Sequence, residues 1–202
     1  MNEASFLRFA GWVAYFNAFV FVISLVALML FFSIGGLWGT INDSLSVIWM
    51  FSYLPLALAL FLINRTVNSP LSLISSLVGS LAALAFVVMQ FLLVIGQVRF
   101  EQTFAAVLAM TTLVGLFILV HGFLARAGHT LPSGLTWVMV SYGIVSVIGA
   151  IGFLIGGEQH PLAMIGLLLT AVSGVIWVVW FGRFLLSGAA LSTLVSASQV
   201  SV

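Results

Sequence analysis

Long apolar runs separated by short polar interruptions make up almost the whole chain. Six runs reach or exceed the roughly 20 helical residues needed to cross about 30 Å of hydrocarbon. They cover approximately residues 8–34, 44–64, 71–97, 103–126, 134–156 and 161–187. The interruptions, GGLWGTINDS, NRTVNSP, QVRFEQ, RAGHTLPSG and GGEQHP, carry the Gly, Pro, Asn and Ser that favour turns. Pro70 and Pro161 stand near the first turn of spans three and six, where a missing N–H is harmless. Pro55 lies inside span two and predicts a kink there. No interruption is long enough to house an extramembrane domain. The pattern predicts an all-α integral membrane protein, a single domain over residues 1–202 built as a bundle of six transmembrane helices.

Composition supports this reading and removes several function classes. Of the 202 residues, 63% are hydrophobic and 4% charged, against about a quarter charged in soluble domains. All the cations are Arg and the net charge is +1, so no basic patch for nucleic acid exists. Without cysteine there is no disulfide, thiolate metal site, iron–sulfur cluster or cysteine nucleophile. The first apolar run exceeds the roughly 7–15 residues of a signal-peptide core, which predicts a retained first span.

Charge placement predicts orientation. With alternating spans, Arg8, Arg65, Arg126 and Arg183 fall on one side of the membrane. Arg99, Asp43, Glu101 and Glu158 fall on the other. The positive-inside rule then places both termini in the cytoplasm. The near-equal intervals between these charges follow from equal spans and short loops, without internal duplication.

Small residues at four-residue spacing mark the faces expected to pack closely in lipid. These are Ala10, Ala14 and Ala18 in span one, and Ser75, Gly79 and Ala83 in span three. Span five offers Ser141, Val145, Gly149, Gly152 and Gly156; span six offers Gly166, Thr170 and Gly174. Trp12, Trp38, Trp49, Trp137, Trp177 and Trp180 mostly fall near span ends, which predicts an interfacial anchor belt.

Candidate chemistry is sparse. No Asp, Glu, Lys or Arg stands near the centre of a span, which argues against proton-coupled transport, voltage sensing and carboxylate hydrolysis. There is no Walker loop, G-x-G-x-x-G, H-E-x-x-H or G-x-S-x-G elbow, so no catalytic residue and no metal site is assigned. Asn17 and Gln90 are primary amides at depth, where an unpartnered amide costs several kcal/mol. Each fits an interhelical hydrogen bond worth about 1 kcal/mol or, with Tyr142, contacts to a small apolar or weakly polar ligand.

The stretch 118-ILVHGFLARAGHT-130 holds two of the chain's three histidines. His121 is expected about one and a half turns inside the end of span four, with His129 in the loop beyond. A haem held by two histidines needs imidazoles from two helices at matching depth, and His160 falls on the far face. His121 is therefore either a buried or interfacial hydrogen-bonding residue or a single-histidine ligand to a haem or chlorin.

The opening 8-RFAGWVAYF-16 and closing 176-IWVVWFGRFLL-186 resemble the ends of small six-span bacterial membrane proteins known only as a domain-of-unknown-function family. That resemblance implies a bacterial six-helix fold and no activity; the location expected for the chain is the bacterial inner membrane. The Ala-x-x-x-Ala stripe of span one is also similar to the docking face on substrate-binding subunits of vitamin importers. The outer loops lack the polar content that such a pocket requires. The leading expectation is a non-catalytic integral membrane subunit that packs against other membrane proteins or itself. A ligand-binding or transport component is the alternative, and a haem or pigment carrier using His121 the third.

Overall fold

The computed structural model of the chain describes residues 2–157 and 159–190. Glu158, used above to argue orientation, and the C-terminal residues 191–202 lie outside the described residues. In chain order the helices are α1 (Glu3–Ile34), α2 (Trp38–Phe51), α3 (Tyr53–Asn64), α4 (Ser69–Val94), α5 (Phe100–Gly128), α6 (Ser133–Gly156) and α7 (Pro161–Leu186). Together α2 and α3 make one span, so six helical segments are long and apolar enough to cross a membrane. The protein is an all-helical integral membrane protein.

Local sequence explains the helix ends. Asn2 accepts from Ser5 N at 2.9 Å to cap α1, and Asn68 accepts from Leu71 N at 3.0 Å to cap α4. Gly35 and Gly36 follow α1 at φ 68° and 71°, a region that L side chains avoid. They reverse the chain so tightly that α2 starts at Trp38, inside the segment expected as a loop. The expected turn 35–44 is therefore mostly helix. Two glycines suffice for the reversal, and the following residues gain more by packing on α1.

Span two breaks where Pro55 predicts. Proline offers no N–H to the carbonyl of Phe51, and its ring crowds that carbonyl. The helix is interrupted at Ser52, between α2 and α3. This broken span is also the innermost. Its apolar window is 56% buried, against 22–33% for the other five. Around it α1, α7, α6, α5 and α4 pack in succession, with α2 between α1 and α4. The short connections make consecutive spans antiparallel. An ion pair between Arg65 and Glu3 (2.7 Å) confirms that the start of α1 and the end of α3 share one end of the bundle.

The small-residue stripes pack much as the sequence suggests. Ala10, Ala14 and Ala18 are buried, as are Ser75, Gly79 and Ala83, and Gly166 with Gly174. In α6 the register differs. Ser141 and Gly156 are exposed, and the inward line runs through Tyr142, Ser146, Gly149 and Gly152. A helix turns every 3.6 residues, so a strict four-residue stripe drifts off the face. Backbones come closest where α6 meets α7: a Cβ on Gly149 or Gly166 would meet the other glycine, and one on Gly152 would meet Leu162 and Ala163.

Five of the six tryptophans divide into two sets, with the half-buried Trp38 between them. Trp12, Trp137 and Trp180 are exposed, as an anchor belt requires. Trp49 and Trp177, expected in that belt, are instead core residues, 8% and 0% exposed. They join Phe21, Tyr53, Phe86, Tyr142 and Phe181 in a chain of ring contacts with centroids 5.0–6.3 Å apart. Proximity to a span end in sequence does not decide which way a ring faces, and here both lie on the inward side of their helices.

Replacing Gly166 or Gly152 by Leu is expected to push α6 and α7 apart and destabilise the bundle by about 1–3 kcal/mol or more. Leu167→Ala, at a position 68% exposed toward lipid, is expected to be neutral. Thermal unfolding in detergent, followed by size-exclusion chromatography, checks both. Equal tolerance would contradict the assignment of faces.

Candidate functional site

The polar side chains inside the bundle gather at three depths along the broken central span. In hydrocarbon a backbone or side-chain polar group without a partner is expensive, and each cluster answers that constraint for a different stretch of α2–α3.

Toward the end of the bundle that carries the α1–α2 turn, Ser24 of α1 meets α2. Its Oγ donates to Asn42 Oδ1 at 2.8 Å and lies 3.4 Å from Ser46 Oγ. At the break, Asn17 of α1 enters α2's C-terminal turn. Its Nδ2 donates to the Trp49 carbonyl at 2.6 Å and to Ser52 Oγ at 2.7 Å, and Ser52 Oγ donates to the same carbonyl at 2.6 Å. Asn17 is 2% exposed, and its amide supplies the donor that the interrupted helix lacks. Of the two readings open for Asn17, the geometry displays the interhelical hydrogen bond.

The third cluster surrounds His121, which is fully buried on α5. Its Nδ1 lies 3.0 Å from Asn64 Nδ2, at the end of α3, and its Nε2 lies 3.0 Å from Ser76 Oγ on α4. Thr130 Oγ1 donates to Asn64 Oδ1 at 2.7 Å. That bond fixes the Asn64 amide so that its NH₂ faces His121, where it also reaches the His121 carbonyl at 3.4 Å. Nδ1 must then accept, so the hydrogen sits on Nε2 and points at Ser76. Ser76 passes its own hydrogen to the Ala57 carbonyl at 3.3 Å. The chain Thr130 to Asn64 to His121 to Ser76 to Ala57 is thus directional, with every donor supplied with an acceptor. Phe117, one turn away, meets the imidazole edge-on at 4.9 Å.

Both ring nitrogens of His121 are consequently engaged by protein groups. His129 stands outside the cluster, exposed and in the left-handed region at φ 51°. That turn brings the following residue, Thr130, inward to Asn64. His160 caps α7 at the opposite end, accepting from Leu162 N at 3.3 Å. The described residues contain no group of three or more His, Cys, Asp or Glu that could hold a metal ion.

Gln90 and Tyr142 behave differently from Asn17. Gln90 is buried, yet its Oε1 has no hydrogen-bond partner. Tyr142 interacts with Tyr53, and Tyr53 with Trp177, but Trp177 Nε1 also lacks a partner at hydrogen-bonding geometry. The structure does not bring Asn17, Gln90 and Tyr142 together through any direct hydrogen bond.

Asn64, Ser76 and Thr130 were missed because each sits where sequence alone suggests a turn or a generic small-residue face. The available signal was topological. Asn64 and His121 both lie just inside the arginine-bearing ends of spans that run in the same direction, so they reach equal depth. No family model, curated protein or solved structure matches the chain.

Asn64→Ala is expected to leave the buried imidazole and the Thr130 hydroxyl without partners, at a cost of about 1–3 kcal/mol. A double-mutant cycle with His121→Ala should return a coupling of about 1 kcal/mol, measured by unfolding in mixed micelles. With both nitrogens of His121 engaged, purified protein is expected to give no Soret band in its absorption spectrum. A band that vanishes in His121→Ala would assign His121 to a cofactor instead.

Proposed function

We propose that this protein is a non-catalytic integral membrane subunit that associates with other membrane proteins or with itself. The observation that carries the reading is that the strongest polar groups at depth are satisfied within the bundle: Asn17 by the Trp49 carbonyl and Ser52, His121 by Asn64 and Ser76. What remains for recognition is the outer surface, which is broad and apolar along α1, α4 and α7. Purification in mild detergent with native mass spectrometry tests it. A defined complex with itself or another membrane protein is expected, and a strictly monomeric chain without a co-purifying partner would overturn the proposal.

The location proposed is a bacterial inner membrane with both termini cytoplasmic. The support is the gathering of Arg8, Arg65, Arg126 and Arg183 at one end of the bundle, against Arg99 with Asp43 and Glu101 at the other. The membrane potential adds about 2.3 kcal/mol per charge per 100 mV against moving an arginine outward. Reporter insertions after Asn68 and after Gln97 check it. A cytoplasmic signal is expected at Asn68 and a periplasmic one at Gln97; the reverse would invert the topology.

A second reading is favoured by the unpartnered Gln90 Oε1 and Trp177 Nε1. Each is a buried polar atom left for a small, weakly polar ligand to satisfy, which would make the chain a binding or transport component. Organic extraction of the purified protein, followed by mass spectrometry, should then release a stoichiometric molecule that Gln90→Leu fails to retain.

A further inference from the structure

A cavity opens at the arginine-rich end of the bundle, beside the α5–α6 turn. It has a volume of about 270 Å³ and is lined by Ala125, Arg126, His129, Leu131, Ser133 and Thr136. That is roughly nine times the ~30 Å³ that a water molecule occupies in the liquid, room for a phosphodiester and its first ester carbons. We propose that this cavity binds the phosphate of an anionic phospholipid in the adjacent leaflet.

Three features converge on an oxyanion. Arg126 makes no ion pair among the described residues, and no carboxylate lines the cavity. Its guanidinium is stacked on the Trp137 ring at 4.1 Å from the centroid. Stacking occupies the flat face of the guanidinium and leaves its N–H edge free for a phosphate. Trp137 belongs to the first turns of α6, so the stack holds the cation over that helix's N-terminus.

The N-terminus itself faces the same cavity through Ser133. Pro132 precedes α6 and no side chain caps it. The first helical bond is Thr136 N to the Pro132 carbonyl, so the amides of Ser133, Gly134 and Leu135 have no acceptor within the helix. Such amides and the helix dipole favour an anion. The third feature is His129, which lines the cavity from a left-handed backbone conformation. The αL turn is maintained from behind, because Thr130 must reach Asn64 Oδ1. The buried His121 network therefore positions the outer pocket.

The surroundings select a lipid as the source of the phosphate. Ala125 and Leu131 give the cavity apolar walls, while Trp137, 52% exposed, stands beside it under Arg126. Acyl chains can run along this ring and the apolar walls while the phosphate meets the donors. Basic pockets between helices at a membrane surface recognise anionic headgroups by this division of labour. A zwitterionic lipid brings a quaternary ammonium toward Arg126 and loses part of the gain.

Native mass spectrometry of the full chain, released from micelles doped with phosphatidylglycerol or phosphatidylcholine, tests the proposal. Retention of one phosphatidylglycerol in preference to phosphatidylcholine is expected. Arg126→Gln should weaken it about tenfold or more, as loss of a charge-assisted contact implies. Ser133→Asp is the second variant, because a carboxylate at a helix N-terminus favours folding while repelling a phosphate. It should keep the thermal stability and lose the lipid. Arg183→Gln, at the same end but outside the cavity, should retain it. Equal losses in Arg126→Gln and Arg183→Gln would reduce the effect to general charge attraction and overturn the site. Displacement of the lipid by millimolar inorganic phosphate would overturn the lipid assignment in favour of a free-phosphate pocket. Undiminished binding by Ser133→Asp would also refute it.

Discussion

The interruption of the central span by Pro55 sets the terms for the rest of the bundle. In water an exposed carbonyl is solvated at little cost; in hydrocarbon it must be met by another protein group. The break at Ser52 lies in the innermost helix, where solvent cannot help. Asn17 answers the Trp49 carbonyl, and Ser52 folds back onto it. Ser72 and Ser76, one turn apart on α4, reach the Phe61 and Ala57 carbonyls of the half that follows. The kinked span is thus held from two sides, by Asn17 of α1 and by Ser72 and Ser76 of α4, which fixes its rotation and depth together.

How much of this was legible in the chain depends on the scale of the question. Span number followed from run length, and the kink from Pro55, because both depend on local chemistry. The inward faces of α1, α4 and α7 followed from small residues, since close backbone approach needs them. The missed features concern rotation. Trp49 and Trp177 looked like interfacial anchors because depth can be counted along the sequence, whereas the angle around the helix is set by neighbours. Asn64 read as part of the turn NRTVNSP, yet it is fully buried, because α3 continues to it before the chain turns. Its partner His121 was visible as a buried hydrogen-bonding residue, but the identity of the partners required the relative placement of α3, α4 and α5.

The two ends of the bundle are built by different means. At the end bearing Gly35, Gly36, Gly96 and Gly157, the connections turn through glycines at positive φ. At the arginine-bearing end the connections between spans use side chains: Asn68 caps α4, the Glu3–Arg65 pair ties α1 to α3, and Thr130 ties the α5–α6 turn to Asn64. Only there is a non-glycine residue among the described ones, His129, held at positive φ. A left-handed turn in a residue with a Cβ persists when its surroundings over-determine it. Here the surroundings are the directional chain of hydrogen bonds through Asn64 and His121.

This asymmetry joins the interior to the surface. Asn64, His121 and Ser76 are buried and contact nothing outside the protein, so an imidazole among them looks at first like a site without access. Its other consequence is the position of Thr130. With Thr130 drawn inward, the backbone turns through His129 just before it, and α6 starts at Ser133 behind Pro132, which has no side chain to cap it. The exposed end of α6 then stands beside Arg126, whose guanidinium stacks on Trp137, one turn further along the same helix. A buried polar network whose own bonds are complete can therefore act on the membrane surface by dictating where an adjacent turn leaves its donors unpaired.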